Sequence, residues 1–114
     1  MKVDQIEFGT VTVLRLEGDL DEGGMNDLRT ALYDCMCEGR FKLVVNLGDV
    51  AFISYMGLGV LVERLRKLRS LGGDIKLVAM NLYAQRMFRM VGVTTLFGTY
   101  DTESQAVAVY QEAA

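Results

Sequence analysis

The feature that most constrains the fold is a change of pattern in the middle of the chain. An apolar, strand-like run ends near Leu47, and an amphipathic run begins near Leu58. A short polar step at Ser54 separates the two runs, so the chain is predicted to turn there from a strand into a helix. We expect this turn to form the working surface of the molecule.

The amphipathic run predicts the clearest helix of the chain. Its apolar residues recur at the three-and-four spacing of a single helical stripe, and they are Leu58, Leu61, Val62, Leu65, Leu68 and Leu71. Gly72 and Gly73 provide a stop, because glycine accepts the left-handed conformation that commonly closes a helix.

The start of this helix has an unusual composition. Ser54 is suited to cap the free amides of the first turn. Gly57 and Gly59 lower the helix propensity, and we interpret both as sites of close backbone approach. Free amides and the positive end of the helix dipole attract anions, so this turn is a physically sensible place for a switch based on charge.

These segments resemble the signature of STAS domains, especially that of bacterial anti-sigma-factor antagonists. Three segments in order carry the resemblance: an apolar strand, then Asn46 to Val50, and then Phe52 to Val60. In that family the turn commonly reads Asp-Ser-Ser-Gly-Leu, and a partner kinase, itself the anti-sigma factor, phosphorylates the serine before the glycine. Here Met56 stands at that position, so the family's phosphorylation does not carry over to it.

The two residues before Met56 also depart from the family pattern. Tyr55 stands at the place of the preceding serine, and Ser54 stands at the place of the aspartate. Ser54 is expected mainly to act as a helix cap, with phosphorylation of Ser54 or Tyr55 as the lesser alternative. Tyr55 and Met56 either form an apolar, adaptable contact for a partner or fold back onto the domain and fill space.

Two aspartates are expected to lie near the turn. Asp21 ends the segment Gly18-Asp19-Leu20-Asp21, where an aspartate is suited to cap the next helix. The segment also matches the Gly-x-Leu-Asp of STAS domains, so the resemblance allows a partner contact for Asp21. Asp49 follows the third strand. Asn46 is expected mainly to serve the exit of the chain from that strand, and the resemblance places it beside the turn and allows a secondary role in holding Asp49 or the turn itself. The predicted partner-binding residues are Asp21, Asp49, Ser54, Tyr55, Met56, Gly57 and Leu58.

The remaining patterns predict alternating strands and helices after an initial hairpin. The strands are expected at 3–8, 10–16, 41–47, 74–80 and 94–100, and the other helices at 24–38, 81–91 and 102–110. Asn81 is suited to cap the helix that runs to residue 91. This order is β-β-α-β-α-β-α-β-α, an α/β fold with a mixed sheet covered by helices. The STAS resemblance covers nearly the whole chain and implies the same order, with one domain over residues 1–114.

Composition argues against several functions. A formal net charge of −3 without a basic stripe argues against nucleic acid as a partner. The apolar runs are too short for a bilayer span and the N-terminus lacks a signal-peptide pattern, so a cytoplasmic location without membrane insertion is expected. Cys35 and Cys37 point in different directions on a predicted helix, which indicates buried or half-buried free thiols.

Catalytic groups are sparse. The absence of histidine removes the usual general base and the commonest transition-metal ligand. Four aspartates could gather near strand ends, although carboxylates there are usually caps and turns: Asp19, Asp21, Asp49 and Asp74. We therefore expect no enzymatic activity, no cofactor and no metal.

The expected function is that of a regulatory protein-binding module. The resemblance implies an anti-sigma-factor antagonist that docks a kinase-type anti-sigma factor through residues 54–58 and frees a sigma factor, here without the usual serine switch. The alternative is a STAS subunit of a lipid-transport ATPase complex or of a signalling scaffold, and self-association would favour the scaffold.

Overall fold

The computed structural model describes residues 1–112, which form five strands and four helices. The elements are β1 (Lys2–Phe8), β2 (Val11–Glu17), α1 (Glu22–Cys37), β3 (Lys42–Asp49), α2 (Tyr55–Ser70), β4 (Asp74–Val78), α3 (Leu82–Met90), β5 (Gly98–Tyr100) and α4 (Glu103–Glu112). Their order and the α/β fold with a mixed sheet are confirmed.

The sheet has the strand order β1-β2-β3-β4-β5. Strand β1 pairs with β2 in antiparallel fashion, and Gly9, with a φ of 63°, allows the tight turn between them. The other three pairings are parallel. Because the carboxyl ends of parallel strands share one edge, the loops that lead into α1, α2 and α3 meet at that edge.

Helices cover both faces of the sheet. One core cluster joins the sheet to α1, α2 and α3, and a smaller cluster joins the other face to α4. Strand β2 contributes Leu14 and Leu16 to the first cluster and Val11 and Val13 to the second. Its pairing with β3 also shifts register between Arg15 and Glu17, so β2 is covered on both faces and is irregular near its end.

Two strands are shorter than their patterns predict. Strand β4 ends at Val78, because Ala79 adopts a φ of 60° in the left-handed region and leaves the strand conformation. Strand β5 spans Gly98–Tyr100 instead of the predicted 94–100. The residue before it, Phe97, is buried edge-on against Phe88 with ring centroids 5.8 Å apart, so the apolar pattern there reflects core packing rather than a strand.

The buried faces of α2 and α3 and the exposure of Cys37 also differ from the predictions. The apolar spacing predicts one of two inner stripes for α3, either Tyr83, Met87 and Met90 or Ala84, Phe88 and Val91. The buried side instead consists of Ala84, Met87 and Phe88, which combines members of both. Leu71 is exposed because it is the C-cap of α2 rather than part of its inner stripe. Cys35 is buried, which raises the pKa of its thiol to about 11, whereas Cys37 is exposed.

Among the helices within residues 1–112, none is both long and apolar enough to cross a bilayer.

Candidate functional site

Three side chains cap the helices that begin at the carboxyl edge of the sheet. Asp21 accepts a hydrogen bond from the Gly24 amide at 2.9 Å and caps α1. Ser54 accepts one from the Gly57 amide at 3.0 Å and caps α2. Asn81 caps α3 in the same way. The predicted caps are confirmed, and they align three helix starts along one edge.

A short backbone pairing joins the loop before α1 to the loop before α2. The Leu20 amide donates to the Phe52 carbonyl at 2.8 Å, and the Ser54 amide donates to the Leu20 carbonyl at 3.0 Å. Leu20 and Ile53 form an isolated parallel bridge, and both side chains are buried. Sequence reasoning noticed Leu20 only as part of a pattern, yet this residue locks the two loops into one unit.

Gly57 and Gly59 have different structural roles. A Cβ atom on Gly57 would lie 3.1 Å from the Leu20 carbonyl oxygen and 3.3 Å from the Leu20 Cβ atom. The prediction of close approach is therefore right for Gly57. It is wrong for Gly59, because a Cβ atom there would meet nothing within 4 Å.

The first two residues of α2 form an exposed tip, defined here as Tyr55 and Met56. The relative exposure of these residues is 61% and 66%, so neither folds back onto the domain. Leu58, by contrast, is buried in the core. Gly57 is also buried, which leaves Tyr55 and Met56 as the part of the predicted 54–58 contact that projects most into solvent.

A neighbouring aromatic pair extends the apolar surface. Phe52 stacks on Tyr83 with ring centroids 6.3 Å apart and planes inclined by 22°. Next to Tyr83, Leu82 is also exposed at the start of α3. Sequence analysis missed this pair, because the spacing in α3 did not reveal which of its apolar residues face solvent.

The four aspartates do not gather in one place. Asp19, Asp21 and Asp49 lie at the carboxyl edge of the sheet, where Asp21 is occupied as a helix cap. Asp74 begins β4 at the opposite edge, where it pairs with Arg69 and with Lys76. Within the described residues no group of three potential ligands is placed to hold a metal ion.

Asn46 serves the exit of the chain from β3, as predicted, but it does not have the secondary role that the resemblance allows. Its side-chain amide donates to Glu103 at 2.7 Å, and its oxygen accepts from the Gly48 amide at 2.8 Å. Arg15 donates two hydrogen bonds to the same carboxylate, each at 2.8 Å. The bond from Arg15 is the main cause that lowers the pKa of Glu103, and the bond from Asn46 adds to it, against the effect of burial. Asn46 thus fixes α4 to the sheet rather than holding Asp49 or the turn.

A groove of about 580 Å³, named here the α2–α3 groove, runs between α2 and the segment that follows α3. It is open to solvent and begins at the exposed tip. Its apolar lining consists of Tyr55, Leu58, Gly59, Val62, Val91 and Val93, and two charged residues, Glu63 and Arg66, complete it.

Comparison with known proteins places these features in a family. A model of the STAS domain matches residues 2–106. The chain is 27% identical over 108 residues to the anti-sigma F factor antagonist of Paenibacillus polymyxa, covering 94% of this chain and 92% of that protein. Its fold matches the anti-sigma factor antagonist SpoIIAA in its unphosphorylated form with a TM-score of 0.83, at 19% identity over 97% of both chains.

The phosphorylated form of SpoIIAA from Bacillus has the same fold. Its TM-score is 0.75 at 20% identity, and the match covers 96% of this chain and 99% of that one. The family model spans nearly the whole sequence and the observed fold agrees with it. The chain therefore belongs to the STAS domain family.

Proposed function

We propose that this STAS domain is an anti-sigma factor antagonist that docks a kinase-type anti-sigma factor through residues 54–58 and thereby frees a sigma factor. The antagonist names of its relatives support the general role. The observation that supports this docking surface is the exposure of Tyr55 and Met56 on the first turn of α2.

The exposed tip suits a protein partner because it is apolar and its backbone is already ordered. Tyrosine buries a large area with few rotatable bonds, and methionine adapts to irregular surfaces. The Ser54 cap and the pairing of Leu20 with Phe52 and Ser54 hold the backbone below the tip. A partner then has only side chains to immobilise, which lowers the entropic cost of binding.

The proposed antagonist acts without the usual serine switch. Met56 has no hydroxyl group, so it cannot accept a phosphate. The Ser54 hydroxyl lies 3.0 Å from the Gly57 amide that it caps and 3.7 Å from the Met25 sulfur, and a phosphate on it would disturb this packing. In this proposal the chain is always competent to bind, and its cellular amount sets the response.

Replacing Met56 with aspartate tests the docking surface. A charge at the centre of an apolar contact requires desolvation, so we expect affinity to fall about 30-fold or more, as for a hot-spot residue. The fold should survive, because aspartate is favourable in the first turn of a helix. Calorimetric titration with purified kinase-type anti-sigma factors from the same genome measures the affinity, and thermal melts report the folding.

Leu71→Asp is the matched control for this experiment. Leu71 is exposed at the other end of α2, so a charge there should leave the affinity unchanged despite a small loss of stability. Equal binding by wild type and by folded Met56→Asp would contradict docking through the tip. Transfer of phosphate from ATP to the wild-type chain would contradict the unswitched mechanism. If wild type binds no such kinase, the antagonist role fails and a STAS subunit of another complex is favoured.

A further inference from the structure

Gly59 has no structural role that explains it. It lies in the second turn of α2, its φ is not positive, and a Cβ atom on it would meet nothing within 4 Å. Glycine within a helix is less stable than alanine, because it loses more backbone freedom on folding. Gly57, two residues earlier, is explained by its contact with Leu20, whereas neither packing nor backbone conformation requires Gly59.

The position of Gly59 suggests what the glycine provides. It is exposed and lies in the lining of the α2–α3 groove, between Tyr55 and Val62 on the same helix. Since the space above Gly59 is open, any larger side chain would project into the groove. The glycine therefore keeps the groove deep at this point.

We propose that the α2–α3 groove receives an apolar side chain of the kinase-type anti-sigma factor, and that Gly59 determines whether that side chain fits. This inference rests on the proposed antagonist function. The occupant follows from continuity of the two surfaces, because Tyr55 belongs both to the exposed tip and to the groove. A partner that covers the tip already lies at the groove's end.

The charged residues of the groove indicate what surrounds that side chain. Glu63 and Arg66 are exposed, and within residues 1–112 the structure gives neither of them an ion pair or a side-chain hydrogen bond. They are free to pair with groups of opposite charge on the partner. The partner segment that fits the α2–α3 groove is thus an apolar residue flanked by a basic residue and an acidic residue.

Two substitutions at Gly59 test this inference, with the same purified anti-sigma factors as the probe. Gly59→Ala should raise the melting temperature, because alanine favours the helix, yet weaken binding several-fold. Gly59→Leu should stay folded and weaken binding about tenfold or more, because its side chain fills the groove. If Gly59 had only a structural role, its substitution would not raise the melting temperature and weaken binding at the same time. Ser70→Leu, which adds an exposed leucine at the end of the same helix, should bind like wild type.

The outcomes separate this inference from the proposed function. If Met56→Asp abolishes binding while Gly59→Leu binds like wild type, the tip docks the partner and the groove inference is overturned. If wild type binds none of the kinases, the proposed antagonist function and the groove inference are both overturned. If sedimentation shows that wild type alone dimerises and Gly59→Leu does not, while partner binding is unchanged, a second copy occupies the groove and the inference is again overturned.

Discussion

Replacing Leu20 with alanine is expected to lower the free energy of unfolding by about 2–5 kcal/mol, the range for leucine-to-alanine changes in a core. Leu20 has a relative exposure of 0% and belongs to the main core cluster. Its backbone pairs with Phe52 and Ser54, and its Cβ atom would lie 3.3 Å from a Cβ atom on Gly57, so the cavity would form beside the helix start that carries the tip. Relaxation there is limited, because two backbone hydrogen bonds, from Leu20 to Phe52 and from Ser54 to Leu20, hold the loops together.

Denaturant unfolding measures this loss, with Leu82→Ala as the matched control. Leu82 has a relative exposure of 69%, so its truncation should change stability by no more than about 0.5 kcal/mol. A Leu20→Ala protein with the midpoint and slope of wild type would show that the loop pairing does not depend on this side chain.

Gly24→Ala should also cause a large loss, about 1–3 kcal/mol. A Cβ atom on Gly24 would overlap the carbonyl oxygen of Asp19, which is backbone and cannot rotate away. The loop of residues 19–21 would have to move off the start of α1. That movement would weaken the Asp21 cap and the pairing of Leu20 with the turn.

Gly23→Ala is the adjacent control, since it adds the same atom to the same helical turn. The nearest contact of its Cβ atom would be the Asp21 Oδ1 atom at 3.7 Å, which is ordinary van der Waals contact. We expect a change within about 1 kcal/mol, toward greater stability. In thermal melts, the melting temperature should therefore fall for Gly24→Ala but not for Gly23→Ala. Equal shifts would mean that the loop adapts to the added carbon at position 24.

The parts of the site that depend on local chemistry could be predicted from the sequence. Ser54, Asp21 and Asn81 each cap a helix, and a cap acts on amides only two or three residues away. Gly57 was also interpreted correctly as a point of close approach. The order of strands and helices followed from hydrophobic spacing together with the family resemblance.

The parts that depend on distant segments could not be predicted in this way. The pairing of Leu20 with Ile53 joins loops that follow different strands, and nothing local to either loop specifies it. The same holds for the stacking of Phe52 on Tyr83. In α3, apolar residues occur on several sides of a helix of nine residues, so spacing alone did not identify the face that packs on the sheet.

The predicted reason for the glycine at position 59 is wrong, although the reason predicted for Gly57 is right. The composition of the helix start predicts packing positions at both glycines, yet only Gly57 faces the protein. The difference lies in their position around the helix axis. Residue 57 turns toward Leu20 whereas residue 59 turns toward solvent and the groove.

Amide hydrogen exchange of the chain, alone and with the proposed anti-sigma factor partner, tests the central claim most directly. The amides of Tyr55 and Met56 are the most informative, because the first amides of a helix have no intrahelical partner and exchange readily when free. If residues 54–58 dock the partner, we expect slower exchange at these amides, while α4 on the other face of the sheet is unchanged. Slower exchange confined to α4 or to β1, with residues 54–59 unaffected, would contradict docking through residues 54–58.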